Sequence, residues 1–205
     1  MKKNQFFRRC GLIILCSMMV VFACSSGSYI YLNYRLPAKS EGLENKTVSI
    51  VFKDERTDQT LFSDKAAKEY KFFTGVFSLS LLQGKKKSVF LGTHELPSLF
   101  ETAFTRRLSD LGVTVASQKP NTDPVFKIVL KEFLIDLKGR NWIAAIVYEI
   151  HLIRGSKVRA TQNINGRAER LKIVGKRDAE KVLEDIFTDT VNKLDIDKLF
   201  TDAGL

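Results

Sequence analysis

Read from its amino terminus, the chain opens on Lys2, Lys3, Arg8 and Arg9, then runs apolar from Gly11 to Ala23, with no acidic residue before Glu41. As a helix this stretch spans about 20 Å, short of the ~30 Å hydrocarbon core of a bilayer. A basic start followed by a short apolar run that ends on a small residue predicts a secretory signal peptide over residues 1–23. The alternative, one spanning helix from Gly11 to Leu32, would bury the polar run Cys24-Ser-Ser-Gly-Ser28 in the bilayer.

From Cys24 the pattern changes. Residues 24–46 carry Ser25, Ser26, Gly27, Pro37 and Gly42 and read as a tether, with Tyr29-Ile-Tyr-Leu-Asn-Tyr34 as a short strand laid against the domain. The globular part is expected over residues 47–205. It begins at Thr47-Val-Ser-Ile-Val-Phe52, whose β-branched and aromatic residues predict a buried strand, closed by the polar turn Asp54-Glu-Arg-Thr-Asp58. Residues 60–92 mix apolar pairs with Gly75, Gly84 and Lys85-Lys-Lys87, which predicts an irregular excursion or hairpin with a lysine tip.

Two segments have helical period. Leu96, Leu99, Phe100, Ala103, Phe104, Leu108 and Leu111 fall at three- and four-residue spacings, with Pro97 in the first turn and Gly112 after the last. Ala179, Val182, Leu183, Ile186, Phe187 and Val191 form a second stripe over about 177–194, and Leu199-Phe200 is placed to pin the carboxyl terminus. Between the helices come a short strand at Val113–Val115 and three long ones. These run over 125–137, 142–153 and 158–168, joined by Lys138-Gly-Arg-Asn141 and Arg154-Gly-Ser-Lys157. The order predicts an α+β fold: a mostly antiparallel sheet with two amphipathic helices on one face.

Pairing Leu137 with Trp142 puts Ile135/Ala144, Phe133/Ile146 and Val129/Ile150 on one face. It puts Leu134/Ala145, Ile128/His151 and Phe126/Ile153 on the other, a register that any bulge would change. Both faces then carry apolar residues. Either residues 29–34 or 60–92 cover the second face, or it forms a surface for lipid or a partner protein, with Phe133 and Val147 as the residues to test.

Composition narrows the class. With 44% hydrophobic and 27% charged residues the chain is neither disordered nor a multi-span membrane protein. Loss of residues 1–23 leaves 29 basic against 23 acidic residues, so the net charge falls from +10 to +6. That balance suits anionic lipid or cell-wall polymer more than nucleic acid. Cys10 and Cys16 leave with the signal, so the mature chain keeps one cysteine and forms no internal disulfide.

Val21-Phe22-Ala23-Cys24 resembles the lipobox of bacterial lipoproteins. The resemblance implies cleavage before Cys24, a diacylglycerol on its sulfur and an N-acyl chain such as palmitate on its new amine. Ser25, where inner-membrane lipoproteins typically carry Asp, implies the outer membrane, with the domain facing the periplasm. Asp54-Glu-Arg-Thr-Asp-Gln-Thr-Leu61 resembles the Asp-x-Arg-Thr-Asp-Gln stretch of the YajG family of bacterial lipoproteins. The Leu111-Gly112 helix end, the Phe133–Leu137 strand and the Val182–Thr190 helix follow in similar order. That family brings no catalytic residues, and its architecture is similar to that of auxiliary lipoproteins of envelope transport systems.

Catalytic patterns fail on inspection. His94-Glu95 starts like a zinc-protease helix, but the second histidine is missing and Pro97 would break that helix. Gly84-Lys-Lys-Lys-Ser88 lacks the first glycine of a phosphate loop, because residue 79 is Leu. His151 reads as a packing or capping group. Asp54, Glu55 and Asp58 around Arg56 read as a hydrogen-bonded turn with an Arg–Asp pair rather than a cation site. No catalytic residue, metal or cofactor beyond the acyl groups on Cys24 is expected. The functional expectation is an accessory envelope protein, not an enzyme, working through a protein partner. The alternative is binding of lipid or another anionic envelope ligand, with Lys85, Lys86 and Lys87 as the lipid-contacting candidates.

Overall fold

A computed structural model of the chain describes residues 28–37, 42–83, 87–116 and 124–205. Residues 1–23, where a signal peptide is expected, and Cys24, Lys85 and Lys86 lie outside the described residues. Among the described residues, eight strands and four helices follow in the order β1 (Ser28–Arg35), β2 (Thr47–Asp54), α1 (Asp64–Glu69), β3 (Phe73–Gln83), β4 (Lys87–His94), α2 (Leu96–Asp110), β5 (Thr114–Val115), β6 (Val125–Lys138), β7 (Asn141–Arg154), β8 (Lys157–Leu171), α3 (Lys176–Lys193) and α4 (Ile196–Asp202). Both long helices and the three-strand meander fall where their periodicity predicts. The 60–92 excursion is the β3–β4 hairpin preceded by a helix, α1, that the pattern did not announce.

The strands form two sheets, β5-β2-β6-β7-β8 and β1-β3-β4. The β6–β7–β8 meander and the β3–β4 hairpin are antiparallel, while β2 pairs with β5 and β6, and β1 with β3, in parallel. The fold is α+β, with mostly antiparallel pairing.

One face of the five-stranded sheet carries Phe126, Ile128, Leu130, Phe133, Ile135, Ile146, Tyr148 and Ile150, all 1% exposed or less. Helices α2 and α3 and the three-stranded sheet pack on this face. Phe100 of α2 meets Phe133, Tyr148 and Phe187 of α3 edge-on at ring separations of 6.2, 5.8 and 5.4 Å. Phe77 of β3 meets Phe133 at 5.7 Å. Aromatic edges against aromatic faces give this layer both its burial and its orientation.

Two expectations are corrected here. The strand expected over Tyr29–Tyr34 is present as β1, but it is built into the core and not laid against it from outside. Ile30, Leu32 and Tyr34 of β1 are 0%, 1% and 0% exposed and belong to the common core, so the packed structure reaches back to residue 28. The free edge of β1 is closed by α3: the Asn192 amide donates to the Arg35 carbonyl at 2.8 Å, and the Tyr34 hydroxyl donates to Asn192 at 2.9 Å. Capping of this kind removes an open strand edge.

The hairpin register is the second. Leu137/Trp142, Ile135/Ala144, Phe133/Ile146 and Leu134/Ala145 pair as expected, but a bulge between Leu130 and Glu132 shifts the remainder to Leu130/Tyr148, Ile128/Ile150 and Phe126/Leu152. The extra residue, Lys131, returns Phe126 and Ile128 to the core side and sends Val129 outward beside Glu149. The outer face keeps apolar residues of its own: Val129, Ile143 and Ala145 lie on it and are 1%, 8% and 3% exposed. Neither 29–34 nor 60–92 covers the outer face, since both pack on the helix side.

Candidate functional site

The motif Asp54–Leu61 leaves the end of β2 and runs past the β6 bulge. Backbone hydrogen bonds hold it at both ends: the Glu55 amide donates to Leu130 C=O at 2.9 Å, and the Ile135 amide donates to Leu61 C=O at 2.8 Å. Between these points the loop stands off from β6. The gap is a recess of about 250 Å³, lined by Thr57, Asp58 and Thr60 on one side and by Lys131, Glu132, Phe133 and Leu134 on the other.

Hydrogen bonds within the loop fix its shape. The Arg56 guanidinium grips Asp54 through Nε at 3.0 Å and Nη2 at 2.8 Å, and its own amide donates to Asp54 Oδ1 at 3.1 Å. A fork of this geometry is among the stronger polar contacts available to a side chain. It holds the Asp54 carboxyl below the usual carboxylate range. The Arg56 side chain is only 6% exposed, and its Nη1 is buried without a partner among the described residues. Asp58 Oδ1 accepts the Thr60 amide at 2.8 Å, an Asx-type turn that lowers its pKa too. The sequence reading of this cluster as a turn braced by an Arg–Asp pair holds.

Beside the recess, charges alternate across the outer face of the sheet. Lys131, at the bulge, donates to Glu55 at 2.7 Å and stands 3.7 Å from Glu149, which meets His151 Nε2 at 3.1 Å. Hydrogen bonds from Lys131, then Lys53, pull the Glu55 pKa down to about 2. Glu55 and Glu149 are thus engaged by cations, and within the recess the Asp58 carboxylate also accepts a hydrogen bond from the Thr60 side chain. Among the described residues no group of three His, Cys, Asp or Glu side chains gathers to hold a metal ion.

The expected surface residues separate. Phe133 is 1% exposed and lies in the aromatic core against Phe77 and Phe100, so it is a packing residue and not a surface one. Val147 sits half-buried on the outer face, paired with Glu132 and Asn165. Lys87 opens β4, paired with Gln83 at the end of β3 farthest from Ser28. His94 ends β4 ahead of α2, its Nδ1 3.5 Å from Thr102 Oγ1 and its Nε2 buried without a partner among the described residues.

Sequence reasoning missed the large apolar side chains left in solvent between elements: Phe72, Ile173 and Val174, at 73%, 76% and 60% exposed. Their signal is an apolar residue with no periodic neighbours, flanked by lysine, as in Lys71-Phe72 and Lys172-Ile-Val174.

No protein-family model matches the chain, and no curated protein matches it. Among solved structures the chain is similar to a DUF330 protein from Xanthomonas campestris. Identity is 12%, the match covers 85% of this chain and 95% of that one, and the TM-score is 0.55. At this identity the likeness is one of fold. Looser matches include a neuraminyllactose-binding hemagglutinin homolog from Helicobacter pylori (9% identity, 82% and 96% covered, TM-score 0.37). Another is the lipoprotein GNA1162 from Neisseria meningitidis (11%, 73% and 99%, TM-score 0.29). Among the described residues no helix is long and apolar enough to cross a membrane.

Proposed function

We propose that this chain is a lipid-anchored envelope protein, held by acyl groups on Cys24 at the outer membrane and facing the periplasm. It acts there without catalysis, as an accessory in envelope assembly or transport through contacts with a protein partner. The observation that carries this reading is Val21-Phe-Ala-Cys24 at the end of a short apolar run, with the first core strand beginning at Ser28. The YajG-like stretch Asp54–Leu61, built as a rigid loop, and the Ser25 that follows Cys24 support it further.

The packed interior favours a partner over an enclosed ligand. Phe77, Phe100, Phe133, Phe187 and Tyr148 fill the space between the layers. The outer face around the half-buried Val147, Glu132 and Glu149 is the partner surface in this reading. The recess beside Lys131 favours the second reading, an anionic envelope ligand.

Crosslinking in the cell, followed by mass spectrometry of the detergent-extracted protein, tests the two. A stoichiometric protein partner lost in Val147→Lys, with the fold retained, supports the accessory role. Retained lipid or glycan with no consistent protein moves the assignment to ligand binding. Cys24→Ala should leave an unacylated precursor, and a wild-type protein without acyl mass would refute the anchor.

A further inference from the structure

We infer that the domain lies on the membrane through one defined end, where Phe72, Ile173 and Val174 enter the headgroup region and the lysines around them meet anionic phosphates. This rests on the lipid-anchor reading above.

The end is assembled from four segments distant in sequence. The Ser28 amide, at the start of β1, donates to the Phe72 carbonyl at 2.9 Å. Two residues before Phe72, the Tyr70 hydroxyl donates to the Lys176 carbonyl at 3.2 Å, and the Lys176 ammonium stands 5.4 Å over the Tyr70 ring. Lys172 pairs with Glu69 of α1 at 2.8 Å. Trp142, at the start of β7, donates from its indole to the Gly175 carbonyl at 2.9 Å. Phe72 and the 172–176 turn therefore flank α1 at the end of the molecule where β1 begins.

The apolar side chains there are held outward. Asp178 Oδ2 accepts the amides of both Ile173 and Val174, at 2.7 and 2.5 Å, which fixes this turn ahead of α3 and leaves the two side chains in solvent. Leu171, two residues before Ile173, and Tyr29, next to the Ser28 that bonds Phe72, are 46% and 40% exposed. Exposed large apolar residues that cluster need an explanation. Lys65, Lys68, Lys71, Arg140 and Arg177 are exposed around the same end. Nearby Asp178 and Glu69 are already engaged, Glu180 faces Lys176 and Arg177, and Asp64 and Glu169 are exposed acids near these cations. Apolar residues ringed by lysine and arginine match the chemistry of an anionic lipid surface.

Chain length selects the membrane as the occupant. Three residues separate Cys24 from Ser28. Fully extended, that link reaches about 14 Å. An acylated Cys24 thus keeps the start of β1, and Phe72 bonded to it, at the bilayer surface. The β3–β4 hairpin points the other way: Gln83 and Lys87 pair ten residues beyond Phe73. At the strand rise that is about 33 Å farther out. Anionic lipid contact therefore falls to the 65–72 and 171–177 end and not to the end where Gln83 pairs with Lys87. Docking would fix the orientation of the domain and present the far end to the periplasm.

The test uses the full chain, processed in the cell and reconstituted into vesicles of phosphatidylethanolamine and phosphatidylglycerol. Single cysteines replace Phe72, Ile173 or, as a distant control, Val158 beside the β7–β8 turn, and carry spin labels. All three sites are exposed, so the substitutions leave the core untouched. Collision with oxygen, which partitions into lipid, and with a water-soluble nickel chelate is measured, and acyl mass on Cys24 is confirmed in the same sample. Labels at Phe72→Cys and Ile173→Cys should show a several-fold higher oxygen-to-nickel ratio than Val158→Cys, and Lys71→Glu should lower it. On acylated protein, ratios equal to the control overturn the docking, and so does shielding from both reagents, which would mean a protein occupant. Cys24 without acyl mass overturns the anchor reading and the docking together.

Discussion

Gly166 of β8 lies against Thr190 of α3 with no room for a methyl group between them. A Cβ on Gly166 would stand 2.3 Å from Thr190 Cγ2 and 2.7 Å from Ile186 Cδ1. Thr190 cannot turn aside freely, because its hydroxyl donates to the Ile186 carbonyl at 2.8 Å and its own carbonyl accepts the buried Tyr148 hydroxyl at 2.7 Å. The glycine lets α3 approach the sheet closely enough to cap β1 on its other side. Gly166→Ala should cost roughly 1–3 kcal/mol by overpacking, read as a lower urea midpoint with an unchanged slope. Adding Thr190→Ser, which removes Cγ2 and keeps the hydroxyl, should restore part of the loss.

Phe133 and Val147 lie close together on the β6–β7 hairpin but on opposite faces, and their substitutions should diverge. Phe133→Ala removes a ring packed between Phe77 and Phe100 and should cost about 3–5 kcal/mol. Val147→Lys places a cation beside Glu132 on the outer face and should stay within about 1 kcal/mol. Thermal unfolding of the two variants checks the assignment of faces. Equal losses would mean that the outer face is covered.

The Glu55 carboxylate, held at about 2 against an ordinary 4.5 by Lys131 and Lys53, ties stability to pH. A depressed pKa in the folded state means that the carboxylate stabilises above its unfolded value and loses that effect as pH falls. Glu55→Gln should therefore be less stable than the parent near neutrality. The two should converge as pH drops from 4.5 toward 2. Because the group is exposed, added salt should shrink the difference.

Arg56→Lys should loosen the loop without unfolding the sheet. Lysine keeps the charge but cannot reproduce the two-point grip on Asp54. Amide exchange at Arg56 and Thr60 should accelerate by about tenfold, the equivalent of ~1.4 kcal/mol, while β7 amides stay protected. Unchanged exchange at Thr60 would show that the Asp58 turn alone shapes the loop.

Local pattern was enough to place most elements. The stripes of α2 and α3, the Lys138–Asn141 turn and the strand alternation are properties of neighbours in sequence, so they survive into the structure within a few residues. The braced turn at Asp54–Thr60 was legible for the same reason: its donors and acceptors lie two residues apart. Helix α1 was not, because six residues carry too little period to register.

Contacts between distant segments decided the remainder. Whether Tyr29–Tyr34 is tether or core depends on parallel pairing with β3, more than forty residues away, and on α3 closing its edge. One extra residue at Lys131 moved Phe126 and Ile128 to the core side. Which face α2, α3 and the second sheet would cover made Phe133 a core residue and left Val147 outside. Alternation along a strand states that two faces differ, and only the elements packed against them determine which is buried. The exposure of Phe72, Ile173 and Val174 has the same origin: each is apolar in sequence, and its place in solvent follows from how α1, β1 and the turn before α3 meet.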